Sequence, residues 1–225
     1  MNQTIAAIVP MRHSSERVPG KNYRDFAGKP LYHYVVETLR DCPSIDQVVI
    51  DTDSDLIMQD AREHFPDVEL LERPEHLRSG MTSMNSVLEH TITQIEADYY
   101  LQTHSTNPLL GADTLEAALQ RFFDAMPDYD SLFSVTRLQT RLWDELGRAI
   151  NHNSSILLRT QDLPPVYEEN SCFYLFTADI LSRYQNRIGA RAMMAPIDPI
   201  EAMDIDEEVD FKLAEAVQLM RERGE

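Results

Sequence analysis

Residues 5–22 read Ile-Ala-Ala-Ile-Val-Pro-Met-Arg-His-Ser-Ser-Glu-Arg-Val-Pro-Gly-Lys-Asn. The apolar run Ile5 to Val9 has the length and β-branching of a strand buried on both faces. It breaks at Pro10 into a polar loop carrying Arg12, Arg17 and Lys21 among Ser14, Ser15, Gly20 and Asn22. Cations this close in sequence repel one another unless an anion sits between them. A loop at the carboxyl end of a first parallel strand is where open α/β sheets bind ligands. Small residues there let backbone N–H groups approach a phosphate, and Arg and Lys add charge. The alternative is an ordinary solvated loop with scattered charges, and the stretch alone leaves both open.

Working outward, Leu31 to Cys42 places Leu31, Tyr34, Val35, Thr38 and Leu39 on one helical stripe, with Pro30 suited to the first turn. Gln47 to Asp51 reads as a second strand, and Ser54 as the N-cap of a helix to about His64. Val68 to Leu71 is a third strand, ended by Arg73-Pro74; Ser83 or Asn85 opens a helix through about Gln94. Tyr99 to Gln102 is a fourth strand, and Asp113 to Ala125 the next helix. Strand and helix alternating at this spacing argue for parallel α/β layering. Ser131 to Thr136, Cys172 to Phe176 and Met193 to Ile197 read as further strands, and Glu207 to Arg221 as a closing helix. Arg137 to Gln161 has no clean period and reads as an excursion from the sheet, with Trp143 and Leu146 as candidate contacts.

The bulk numbers narrow the classes. A chain of 225 residues, 43% hydrophobic and 26% charged, fits one soluble globular domain. No apolar run approaches the roughly 20 residues that span a bilayer. Met1 to Thr4 lacks the basic start of a signal peptide. Cys42 and Cys172 make neither a disulfide framework nor a zinc site, so a cytoplasmic location is expected. The formal charge of -18 argues against nucleic acid and anionic membrane as partners. It also makes a cationic loop stand out as a place for a small anion.

Four later stretches carry polar chemistry. Asp51-Thr52-Asp53-Ser54 reads as a metal or nucleotide contact or, more simply, as a strand-to-helix turn whose Asp and Ser cap the next helix. Ser79 to Asn85 offers hydroxyls and N–H groups ahead of a helix. Arg159 is suited to a bidentate carboxylate contact or to a surface ion pair with Glu168 or Glu169. Asp204 and Asp206, two apart, share one side of an extended segment; with nucleotide phosphates they form the hard oxygen set that Mg²⁺ takes. Their alternative use is at a helix start, with Asp206 as cap and Glu207 and Glu208 at the positive end of the dipole.

Pro10, Arg12, Ser15, Arg17, Pro19, Lys21 and Asn22 resemble the N-terminal signature of the acylneuraminate cytidylyltransferases, the CMP-sialic acid synthetases, with a looser likeness to the CMP-Kdo synthetases. Leu101 to Leu109 resembles the family's Leu-x-Gln-Pro-Thr-Ser-Pro-Leu: Thr106 and Pro108 match, His104 stands where the family has glutamine, and Asn107 replaces a serine. Arg159, Gln161, Leu163, Pro164 and Asn170 resemble its Arg-x-Gln-x-Leu-Pro segment and following asparagine, although Ser171 stands where the family continues with glycine. Ile200 to Asp206 resembles its metal-binding Ile-Asp-Ile-Asp motif.

The resemblance implies a Rossmann-like three-layer α/β/α nucleotidyltransferase fold with a mostly parallel sheet. It implies that residues about 137–170 serve as a dimerisation arm of a homodimer. It implies transfer of CMP from CTP to a 2-keto-3-deoxy sugar acid, with Mg²⁺ as cofactor on Asp204 and Asp206. Nucleotide contacts fall to Arg12, Ser15, Arg17, Lys21, Asn22, Thr82 and Ser83, and sugar-acid contacts to His104, Thr106, Arg159, Gln161 and Asn170. Arg12, Lys21 and Asp204 carry the catalytic roles. The departures at His104, Asn107 and Ser171 keep Kdo, legionaminate, pseudaminate or a phosphonate open as acceptor. A nucleotide-binding protein without turnover is the rival from another class.

Overall fold

A computed structural model describes residues 3–224. Its centre is β1 (Ile5–Met11), buried along almost its whole length. Ile5, Ala7, Val9 and Met11 enter one hydrophobic cluster, and Ala6 and Ile8 enter another. This division follows from the period of two in a strand, and it makes the sheet the middle of three layers. β1 pairs in parallel with β4 (Gln47–Thr52) on one side and β6 (Tyr99–Thr103) on the other. The seven-stranded order is β5-β4-β1-β6-β8-β7-β9, where β5 is Glu69–Glu72, β7 Ser131–Leu138, β8 Val166–Phe176 and β9 Ala192–Ile197. Only β8 runs against its neighbours, so the expected mostly parallel α/β sheet is found.

The chain runs outward from β1 through α1 (Leu31–Arg40), β4, α2 (Asp55–His64) and β5. It returns through α3 (Met84–Thr91) to β6 on the other side of β1. The order therefore reverses between β1 and β6, and a crevice opens beyond their carboxyl ends. Ser54 caps α2 by accepting from the Ile57 N–H, as the strand-to-helix reading expects. α4 (Ala112–Asp124), α5 (Ala178–Tyr184) and α6 (Glu208–Arg223) complete the helices. Among the described residues no helix is long and apolar enough to cross a membrane.

Several boundaries differ from the pattern reading. A small hairpin, β2 (Asp25–Phe26) and β3 (Lys29–Pro30), turns at Ala27 and Gly28, both with positive φ, and buries Phe26. α3 stops at Thr91 rather than near Gln94, and the short α5 carried too few residues to show a period. β8 starts six residues before Cys172 because it follows β7 out past the edge of the core, where polar Glu168 and Glu169 suit it. Between β7 and β8, residues 139–165 leave the sheet, with one isolated bridge from Trp143 to Ala149.

α6 is capped by Glu207, whose carboxylate accepts from the first turn while Asp210 accepts from the Glu207 N–H. Asp206 is not the cap, and its carboxylate is left for other partners.

Candidate active site

The crevice beyond β1 and β6 is a cleft of about 740 Å³. Its floor is the loop after β1. Asn22, buried, donates from Nδ2 to the Arg12 carbonyl at 2.8 Å and accepts from Ser105 Oγ at 2.8 Å, tying the loop to the β6 loop. From β4's end, Asp53 accepts from the His13 N–H at 2.7 Å, and Ser54 Oγ lies 2.8 Å from His13 Nδ1. The turn after β4 thus positions the cationic loop and caps α2; Asp51 faces inward to a buried arginine instead.

Around this floor the structure gathers Arg12, Ser15, Arg17, Lys21, Asn22, Thr82, His104, Thr106, Asp204 and Asp206 from segments far apart in sequence. The Ser79–Thr82 turn closes by a Thr82 N–H to Ser79 carbonyl bond of 3.0 Å. It faces Arg12 so closely that a Cβ at Gly80 would meet the Arg12 guanidinium at 3.1 Å. Four expected site residues lie outside the cleft. Ser83 caps α3, accepting from the Ser86 N–H at 3.1 Å. Arg159 is exposed and clasps Asp162 at 2.6 and 3.0 Å, and Gln161 is exposed beside it. Asn170 donates to Thr136 Oγ1 at 3.0 Å.

The charges are not all free. Arg17 reaches Asp206 at 2.6 Å, with each side chain about half exposed (55% and 50%), so this pair contributes little to stability. Protein carboxylate therefore supplies part of the anion that the crowded cations require. Arg12 makes no ion pair among the described residues. Lys21 donates to the Ile205 carbonyl between the two aspartates. Burial lowers the Lys21 pKa, against the opposing pull of Asp204 and Asp206.

Asp204 shows its surface to the open cleft yet is walled in by protein. That enclosure, followed by the charge of Asp206, raises its carboxyl pKa, although Thr106 and Lys21 pull the other way. Two carboxylates lining the same cleft as Arg12 are a donor set suited to Mg²⁺.

Sequence reasoning missed several lining groups. Arg73, at 2% exposure, is one: Nε donates to Asp51 Oδ1 at 2.7 Å and Nη2 to the Asp51 carbonyl at 3.0 Å. Arg73-Pro74 was legible only as the end of a strand. Ser171, legible in the sequence only as a departure from the family's glycine, is another lining residue, held at φ 61°. Arg187 is not among the lining residues: it stacks 3.8 Å above the Tyr174 ring and donates to Gln102 Oε1.

His104 carries an enclosed Nε2 with no hydrogen-bond partner. Burial, then the charges of Arg187 and Lys21, push its imidazole down to about 4. The unfolded chain takes up that proton near pH 6.5, so stability falls as pH drops from there toward 4. His104→Gln removes this component. The melting temperature of the variant is expected to fall less steeply than the parent's between pH 6.5 and 4.5, and parallel curves in scanning fluorimetry would contradict it.

One other cluster of metal-ligand types lies among the described residues, on the outer helices: His33, Asp60 and His64. His33 Nε2 sits 2.6 Å from Asp60 Oδ2, closer than the roughly 3.3 Å between two donors on one tetrahedral zinc with bonds of 2.0–2.1 Å. Tyr32 donates to the same oxygen, so the cluster is a hydrogen-bonded clasp between α1 and α2.

Comparison with known proteins identifies the family and the fold. A pseudaminic acid cytidylyltransferase of Campylobacter jejuni is 27% identical over 76% of this chain and 77% of its own length. An N-acylneuraminate cytidylyltransferase of Oncorhynchus mykiss is 27% identical over 94% of this chain, which spans 49% of that longer relative. Among solved structures, a CMP:2-keto-3-deoxy-manno-octonic acid synthetase complexed with CTP superposes with a TM-score of 0.72 over 97% of this chain and 99% of that one, at 16% identity. A 4-diphosphocytidyl-2C-methyl-D-erythritol synthase follows the same fold with a TM-score of 0.68. The sequence profile described as Cytidylyltransferase matches residues 6–223, nearly the whole chain, and the protein belongs to that family.

Proposed function

We propose that this protein transfers the CMP unit of CTP to the anomeric hydroxyl of a 2-keto-3-deoxy sugar acid of the sialic acid type, releasing pyrophosphate. The observation that carries the reading is the one cleft that Arg12 and Lys21 from the β1 loop line together with Asp204 and Asp206. The pseudaminic acid and N-acylneuraminate relatives, and the fold neighbour solved with CTP, support the substrate classes.

In this reaction the anomeric oxygen attacks the α-phosphorus. The bond from that phosphorus to the oxygen leading to the β-phosphorus breaks, and the hydroxyl proton leaves to solvent. Such a step depends on alignment and on stabilising developing charge. Arg12 and Lys21 supply positive charge to the triphosphate and to the departing pyrophosphate. Ser15 and Thr82 offer hydroxyls to phosphate oxygens across the cleft. Asn22 fixes the loop through the Arg12 carbonyl, a positioning role. Asp204 and Asp206 would hold Mg²⁺, with Arg17 yielding its hold on Asp206. Bound there, the ion would offset phosphate charge and lower the pKa of a nearby hydroxyl. His104, neutral and with a pKa of about 4, is a poor general base; its place is as a hydrogen-bonding group for the acceptor.

Pyrophosphate release from CTP and Mg²⁺ across N-acetylneuraminate, pseudaminate, legionaminate, Kdo and a phosphonate tests the reading. Turnover with a nonulosonate supports it, turnover with Kdo or the phosphonate alone reassigns the acceptor, and none on any acid contradicts it.

A second copy of the chain is the partner we assign to residues 139–165. Trp143, Leu146, Ile150, Ile156 and Leu157 are all more than half exposed there, an apolar surface that water disfavours. The expected mass by light scattering is twice 25.9 kDa, and a monomer at micromolar concentration would count against it. A cytoplasmic location belongs to the same proposal, supported by the buried free thiols of Cys42 and Cys172 and testable by cell fractionation.

A further inference from the structure

The β7–β8 ladder breaks beside the cleft. Val135 pairs with Glu169 and Phe133 with Tyr174, so Ser134 alone on β7 faces Asn170, Ser171, Cys172 and Phe173 on β8. This bulge is pinned by its own polar groups. Ser134 Oγ accepts from the Phe173 N–H at 3.0 Å, Asn170 Oδ1 accepts from the Cys172 N–H at 3.3 Å, and Asn170 Nδ2 donates to Thr136. It sets Ser171 on the cleft wall at φ 61°, a conformation that glycine adopts freely and serine does not. A serine held at a glycine-like position on the wall of a ligand cleft points to use of its hydroxyl.

The hydrogen-bond directions around that hydroxyl are fixed. Tyr174 lies 3.2 Å from Ser171 Oγ and donates its single proton to the Glu169 carboxylate. Its pKa is pushed up to about 12, by burial first and by the bond to Glu169 next, so the phenol keeps that proton. The contact with Ser171 must then use the serine proton, donated to the phenol oxygen. What Ser171 Oγ has left to offer the cleft is lone pairs. On the same cleft, His104 brings an enclosed Nε2 without a partner.

We propose that Ser171 is a specificity-determining residue of the acceptor end, its Oγ accepting a hydrogen bond from an N–H or O–H of the sugar acid. The acylamino N–H of a nonulosonate is the donor that Kdo lacks, and it is the group this wall selects. The proposal rests on the acceptor class given above.

The test compares kcat/KM for pseudaminate and N-acetylneuraminate with that for Kdo in the parent, Ser171→Gly and Ser171→Ala. Both variants are expected to lower the ratio for the better nonulosonate over Kdo roughly tenfold, with KM for CTP unchanged. Ser171→Gly, relieved of its positive φ, is also expected to melt about 2–4 °C higher. A merely structural serine would move the melting temperature and leave the ratio alone. An unchanged ratio with turnover intact overturns this proposal only. Absence of turnover on every acid in the parent overturns the acceptor reading and this proposal with it.

Discussion

Asp204→Asn is expected to lower kcat for CMP transfer by on the order of 10³-fold while the protein stays folded. The size follows from what the carboxylate does there. A group that organises charge around a transferring phosphoryl centre contributes in the range of a removed oxyanion donor, and loss of a direct cation ligand lies at the upper end of that range. Asparagine keeps the shape and the contact with Thr106 but offers a neutral oxygen. Because the native carboxyl is raised in pKa by enclosure and by Asp206, removing its charge relieves the folded state. The melting temperature is therefore expected to hold or rise, a trade of stability against activity. Steady-state kinetics at saturating CTP and Mg²⁺, with a thermal melt alongside, check both halves. A variant within tenfold of the parent would remove Asp204 from the chemistry.

Arg73→Met is expected to cost about 3–5 kcal/mol of stability. Arg73 and Asp51 have side chains only 3% and 1% exposed and lie 2.7 Å apart. Asp51 also accepts from Thr91 Oγ1 at 2.6 Å, and the Arg73 carbonyl accepts from Arg78 Nε at 2.7 Å. The network ties the ends of β4 and β5 to α3 beneath the cleft. Removing the guanidinium leaves an unpaired carboxylate that is 1% exposed, which is why breaking one half costs more than the pair contributes. For a chain of this size the loss corresponds to about 6–20 °C in melting temperature. Pairing the change with Asp51→Leu should recover a large part of the loss, because neither charge is then buried alone. Urea denaturation of the single and double variants measures this. A double variant as unstable as the sum of the singles would contradict it.

The chain's first half was legible because its chemistry is local. Ile5 to Val9 is apolar on both faces, Ser54 caps a helix, and each strand is followed by a turn and a helical stripe. The sheet order could not be read in this way, because the reversal between β1 and β6 is a matter of which helix crosses on which side. The bulge at Asn170–Phe173 was invisible for a related reason, since it exists only in register with Ser134. At the site, Arg12, Lys21, Asp204 and Asp206 stand out by charge in motifs. Arg73 is as central to the cleft floor, but without structure it was one arginine beside a proline. Arg159 shows the opposite case. Its segment fits the family pattern, but within one chain its guanidinium clasps Asp162, outside the cleft.

The central claim is that CTP is cut between its α- and β-phosphates with CMP passing to a sugar acid, and ³¹P NMR of the reaction in Mg²⁺ tests it most directly. The triphosphate signals are expected to give way to free pyrophosphate and one phosphodiester resonance, in equal amounts and only when a sugar acid is present. Appearance of CDP and inorganic phosphate, or loss of CTP independent of any acid, would contradict it.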